Sequence, residues 1–252
     1  MKTKIKSILR NPLIFTAIIL FCASTLFAQN SGQQISKSNL KIFVEYRLAK
    51  EHLLDNNNIN VEVSGNKIIL SGTVPTLFDK NQAEVEAHSV DENYLIENNI
   101  SVDVPVVADS ILSGTVINKI QSNLFYSIFD WITVNSNNGI VTLKGWVHLP
   151  WLKTQFESEI EKIAAIKRID NKIQNTFGPG ELGVRAARLI YNDPMFHGMQ
   201  YSKNPPIHII VNNGTVILNG TVDSEVQSSW AANIINFHTD AFSVENNLLV
   251  KN

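Results

Sequence analysis

The string GPGELG (178–183) is a literal G-x-G-x-x-G, the pattern that brings a backbone close to a pyrophosphate at a helix N-terminus. It follows a strand ending near Phe177 and opens a helical stretch. A dinucleotide site also needs a following parallel strand with an acidic end. Here the next strand, IHIIV, runs into Asn212 and Asn213 and a hairpin. The string reads as a Gly/Pro linker, and no cofactor is expected. Six histidines are present, His52, His88, His148, His197, His208 and His238, and no pair sits at a metal-ligand spacing such as i, i+4. His238 is expected on the inner side of its helix as a packed core residue. No G-x-S-x-G elbow occurs. Glu157 and Glu161 lie at i, i+4 beside Lys153 and Lys162 and read as a solvated helix face. Nothing assembles a catalytic group, and the chain is expected not to be an enzyme.

Recognition chemistry is more visible. GWVHLPWLK (145–153) packs Trp146, Leu149, Trp151 and Leu152 beside Lys144 and Lys153. Tryptophan and leucine next to lysine suit a bilayer interface, with rings at headgroup depth and ammonium groups near phosphates. Strand alternation sets Val147 inward and Trp146 outward. The competing reading has Trp151 capping the core and Trp146 packed against a neighbouring unit. Charge favours this part of the chain for an anionic surface. Residues 109–178 carry a net charge of +1, against −6 for 38–108 and −2 for 181–252.

The chain begins with Lys2, Lys4, Lys6 and Arg10, an apolar run from Leu13 to Cys22, and small or polar residues ending at Ala28. This is the layout of a secretory signal peptide over residues 1–28, with cleavage after Ala28. Its apolar core is short for a bilayer span, which needs about 20 residues. Phe21 stands where lipoprotein signals place a small residue before the cysteine. Loss of this leader takes four basic groups and no acidic ones, moving the net charge from −2 to −6. It also removes Cys22, the one cysteine, so neither disulfides nor thiolates contribute. An acidic exported chain without a basic stripe is a poor nucleic-acid binder.

The elements behind these residues repeat. KIILSGTV (67–74), IVTLKGWV (140–147) and TVILNGTV (215–222) align on Gly72, Gly145 and Gly220. Ile68, Leu70 and Val74, with their counterparts, share one strand face with the glycine. A missing side chain there marks close approach by another element or a bend. The helical stretch that follows is the expected neighbour, with Ala83 and Ala231 at matched positions and Phe156 in the middle copy. A second strand is expected to end at Asn98, Asn171 and Asn246, each 26 residues after its glycine. An Asn/Gly hairpin and a helix precede each glycine strand. The chain is a tandem array of one supersecondary unit, helix–strand–strand–helix–strand, at 38–108, 109–178 and 181–252. The fold class is α+β: three small αββαβ sandwiches, each a three-stranded sheet with two helices on one face.

The pattern V-x-L-x-G-x-V, a helix, then V-x-N resembles the BON (bacterial OsmY and nodulation) domain. The residues that carry it are Val141–Val147 with Ile169–Asn171, Val216–Val222 with Val244–Asn246, and Ile68–Val74 with Ile96–Asn98. Family members usually carry a glycine four residues before the final hydrophobic position, where Glu92, Ala165 and Asp240 stand here. The resemblance implies an αββαβ fold in an exported protein of the periplasm of a Gram-negative-type bacterium, at or near the membrane. It further implies a role in osmotic or envelope stress, affinity for phospholipid surfaces, and no catalytic residues. Two functions are therefore expected to compete. One is peripheral contact with a phospholipid membrane surface through the middle unit. The other is a periplasmic scaffold or chaperone-like module that engages envelope proteins through sheet edges. The sequence sets no oligomeric state.

Overall fold

The computed structural model describes residues 36–55, 57–202 and 205–251. The leader, with Cys22, lies outside the described residues. The first unit comprises α1 (Lys37–Lys50), β1 (Asn58–Ser64), β2 (Lys67–Val74), α2 (Leu77–His88) and β3 (Leu95–Val102). The second comprises α3 (Asp109–Gln121), β4 (Trp131–Asn137), β5 (Ile140–Val147), α4 (Pro150–Ile160) and β6 (Arg168–Asn175). The third comprises α5 (Gly180–Asn192), β7 (Ile207–Asn212), β8 (Thr215–Val222), α6 (Glu225–His238) and β9 (Ser243–Val250). Each unit has its own three-stranded sheet, with the glycine strand in the centre. The first strand pairs with it antiparallel and the last strand parallel. GPGELG runs from the end of β6 into the first turn of α5, and the next strand, β7, lies in a different sheet from β6, so the string is a link between units and not the turn of a βαβ fold.

Local chemistry explains the elements. Asn138-Gly139 and Asn213-Gly214, all at positive φ, form the two-residue hairpin turns of the second and third units. That conformation matches the strand twist and favours Asn-Gly. Ser36, Thr76 and Ser224 cap α1, α2 and α6, each accepting from the backbone N–H three residues on. Pro150 opens α4, where its missing N–H costs nothing. The two helices of each unit pack over one sheet face and close a separate apolar core, for example Leu112, Val116, Leu143, Val147, Leu152 and Phe156 in the middle unit. Ala83, Phe156 and Ala231 are all fully buried.

The repeat glycines occupy matching environments, but the expected neighbour was wrong. At Gly72, Gly145 and Gly220, φ is 121°, 123° and 135°. A Cβ would land 1.7, 1.9 and 2.0 Å from the carbonyl oxygens of Asn58, Trp131 and Pro206. These belong to the first strand of each hairpin or the residue just before it. The gap is filled by backbone at a bend, not by the following helix.

The asparagines are also corrected. The last strands continue four residues beyond Asn98, Asn171 and Asn246, which sit mid-strand. Each side-chain amide donates to the carbonyl 18 residues earlier, of Lys80, Lys153 and Ser228, at 2.9–3.1 Å. Each side-chain oxygen accepts from the backbone N–H two residues on, at 3.2 Å. The asparagine ties the second helix to the last strand, a role only a side chain with both donor and acceptor can fill.

The units touch. Between the first and second, the Phe78 N–H donates to the Glu161 carbonyl at 3.1 Å and the Asn81 amide to Glu161 Oε1 at 2.8 Å. Leu77 packs against the middle core, and Lys162 Nζ lies 4.7 Å from the centre of the Phe78 ring. Glu161 is thus an interface residue, not part of a solvated face; burial raises its pKa, opposed by the Asn81 bond and assisted by the Glu157 charge. Between the second and third, Ile128 and Phe129 pack onto the third core, and the Ile209 N–H donates to the Ile128 carbonyl at 2.7 Å. That bond covers part of the free edge of β7.

Candidate functional site

Two loops leave the same end of the middle sheet: 122–130, before β4, and 148–149, between β5 and α4. Phe125, from the first loop, and Trp151, in the first turn of α4 just after the second, meet edge to face, ring centres 4.9 Å apart and planes at 80°. Trp151 is 43% exposed, Phe125 52% and Leu124 96%. Asn123 holds this loop down, accepting from the Phe125 N–H at 2.9 Å and donating to Glu159 at 2.9 Å. The result is an apolar knob built from two aromatic rings and a leucine, anchored through Asn123. Leu124 and Phe125 were not anticipated. Their signal was a cluster of large apolar and aromatic residues, Leu124, Phe125, Tyr126, Ile128 and Phe129, in a stretch with no helical or strand periodicity.

The anticipated contact residues divide. Trp151 is exposed and belongs to the knob. Leu152 does not: it is 0% exposed, in the middle core beside Phe156 and Ile160, because the first turn of α4 points it inward. Leu149 is half-buried against the same core. Trp146 points to the face opposite Val147, as alternation requires, but it is half-buried. It stands directly across from Trp131, whose ring lies 5.1 Å from that of His208 in the third unit. On that face the neighbouring unit is met at Trp131. Lys144 is exposed on the same strand, while Lys153 is half-buried with its carbonyl engaged by Asn171.

The position six residues after each repeat glycine is informative. It holds Phe78, Trp151 and Val226. In the first unit this side chain is covered by the second unit; in the others it is exposed.

A second polar cluster lies at the contact between the second and third units. Asp130 is fully buried and accepts from the Ser127 N–H and hydroxyl, the His148 N–H and His148 Nδ1, all at 2.8–2.9 Å. His208, also fully buried, approaches the Ser127 carbonyl with Nδ1 at 3.2 Å, and its Nε2 has no hydrogen-bond partner. Tyr126 and Trp131 flank the imidazole. Burial lowers the His208 pKa, against smaller opposing contributions from Asp130, Ser127 and Pro205. Burial likewise raises that of the Tyr126 phenol. The buried histidine is therefore His208; His238 is exposed, one turn past the last core residue of α6. Among the described residues, no group of three or more His, Cys, Asp or Glu converges as a metal site would require. No described helix is long and apolar enough to cross a membrane.

The profile of the BON domain matches residues 43–104, 108–175 and 197–252. No curated protein matches the chain. Among solved structures, the chain is similar to the C-terminal domain of CdsD, the structural protein of the type III secretion system of Chlamydia trachomatis. That match has 13% identity and a TM-score of 0.25, and covers 87% of this chain and 100% of the other. A second CdsD structure gives 12% identity and a TM-score of 0.25, covering 84% of this chain and 92% of that one.

Proposed function

The chain belongs to the BON domain family, and on that premise we propose that it is a non-enzymatic, exported envelope protein that touches phospholipid surfaces through its middle unit. One observation carries this reading: Leu124, Phe125 and Trp151 form an exposed apolar knob on the one unit whose net charge is not negative. An aromatic pair with a free leucine inserts at headgroup depth, and the weak positive charge avoids repulsion by anionic lipid. Three side chains remove little apolar area from water, so binding is weak and reversible. The leader expected over residues 1–28 and the family support residence in the periplasm and a part in osmotic or envelope stress. The sequence pointed to Trp146 and Leu152 as contacts; the knob replaces them with Phe125 and Leu124.

Vesicle co-sedimentation tests this. The chain from Gln29 onward is expected to pellet with vesicles containing anionic phospholipid. Leu124→Ser combined with Trp151→Ala should reduce the bound fraction several-fold. A wild-type chain that stays in the supernatant with anionic and neutral vesicles alike would overturn the reading.

A further inference from the structure

The outward face of α6 is unlike that of an ordinary solvated helix. Val226, Trp230, Asn233 and Phe237 follow the spacing i, i+4, i+7, i+11, which sets them in one stripe. Val226 is 66% exposed, Trp230 42% and Phe237 75%. Trp230 is held in place, its indole N–H donating to Asp193 Oδ2 at 3.1 Å, and Met195 flanks it to form a shallow groove. The 14 residues of α6 include no lysine or arginine. Their only acid, Glu225, stands at the N-terminus, and their only histidine, His238, at the C-terminus.

We propose that this face is where a second copy of the chain docks, with the two α6 helices antiparallel about a two-fold axis. Three observations select that occupant. First, the stripe is self-complementary under reversal. With Trp230 of each copy facing Asn233 of the other, Val226 meets Phe237 and Glu225 meets His238, as an isologous interface requires. Antiparallel helices also oppose their dipoles favourably. Second, the N-terminal end of the same face already docks inside this chain. Phe78 and Asn81, six and nine residues after Gly72, contact Lys162 and Glu161 of the second unit. Val226 and Ser229 hold those positions in the third unit and are uncovered. Third, a face without Lys or Arg on a unit of net charge −2 offers nothing to anionic lipid. That separates it from the middle-unit knob. A helix of this length is about 21 Å long, so the contact falls at the small end of specific interfaces and the dimer is weak.

Sedimentation equilibrium over a range of concentrations tests this, with vesicle binding measured in parallel. The chain from Gln29 onward is expected to dimerise reversibly at roughly micromolar to 100 µM concentrations. Val226→Asp and Phe237→Lys should each weaken the dimer at least about 10-fold. Both side chains are exposed, so folding is retained and circular dichroism verifies it. Combining the two substitutions in one chain should restore the dimer to within a few-fold of wild type, because each new acid then faces the new base of the other copy. A wild-type chain monomeric throughout overturns the proposal. So does a dimer indifferent to Val226→Asp, or single variants that the combination fails to rescue. Loss of vesicle binding by these variants, without any change in association state, would assign the face to lipid and also overturn it.

Discussion

Asn171 donates its side-chain amide to the carbonyl of Lys153 at 3.1 Å, and the two residues are bound from opposite layers of the middle unit. The same amide also reaches Glu157 Oε2 at 2.8 Å. Without it, the Lys153 carbonyl and the Ile173 N–H lose half-buried partners. Asn171→Ala should cost about 1–3 kcal/mol, the usual penalty for orphaning such groups. Because Asn98 and Asn246 make the matching bonds, the equivalent substitutions should cost similar amounts. Urea denaturation of the three variants checks both points.

Ala165 occupies the place where family members usually carry glycine, and its φ is 128°, in the region that disfavours a side chain. It is also nearly fully buried, just before the turn into β6. Relief of backbone strain of about 1–3 kcal/mol should exceed the loss of one methyl, at about 0.8 kcal/mol. Ala165→Gly is expected to raise the thermal midpoint by a few degrees; an unchanged or lowered midpoint would show that the strain is absent.

His208 makes the contact between the second and third units sensitive to acid. Burial holds its folded pKa below the ordinary value of 6.5. Above that value, folded and unfolded states are both neutral and the histidine costs nothing. As pH falls through it, the unfolded chain takes up the proton first, so stability drops until the lowered folded pKa is passed. From about pH 7.5 to about pH 5, the wild-type midpoint should therefore fall more than that of His208→Phe. Parallel midpoints in the two proteins would contradict this.

The repeat was legible because its determinants are local. Period-two alternation and Asn-Gly turns mark the hairpins, and one fixed distance separates each glycine from its asparagine. What filled the gap beside Gly145 was not legible, since a neighbouring strand's carbonyl has no sequence signature, whereas Ala83 and Ala231 pointed to a helix. His208 was passed over as solitary. Its signal was that IHIIV does not alternate, which is how a strand covered on both faces reads. Leu152 was misassigned because a composition cluster ignores direction: one residue along the first turn of α4 separates exposed Trp151 from the core. Phe125 was missed because its contact with Trp151 joins a loop to a helix start 26 residues further along the chain.

The most direct test is the fluorescence of Trp151 itself. Replacing Trp131, Trp146 and Trp230 by Phe leaves Trp151 as the one tryptophan, and its emission can be followed as vesicles of anionic phospholipid with brominated acyl chains are added. A blue shift and strong quenching, both abolished by Leu124→Ser with Phe125→Ser, are the expected result. Emission that stays unshifted and unquenched at every lipid concentration would contradict membrane contact by the middle unit.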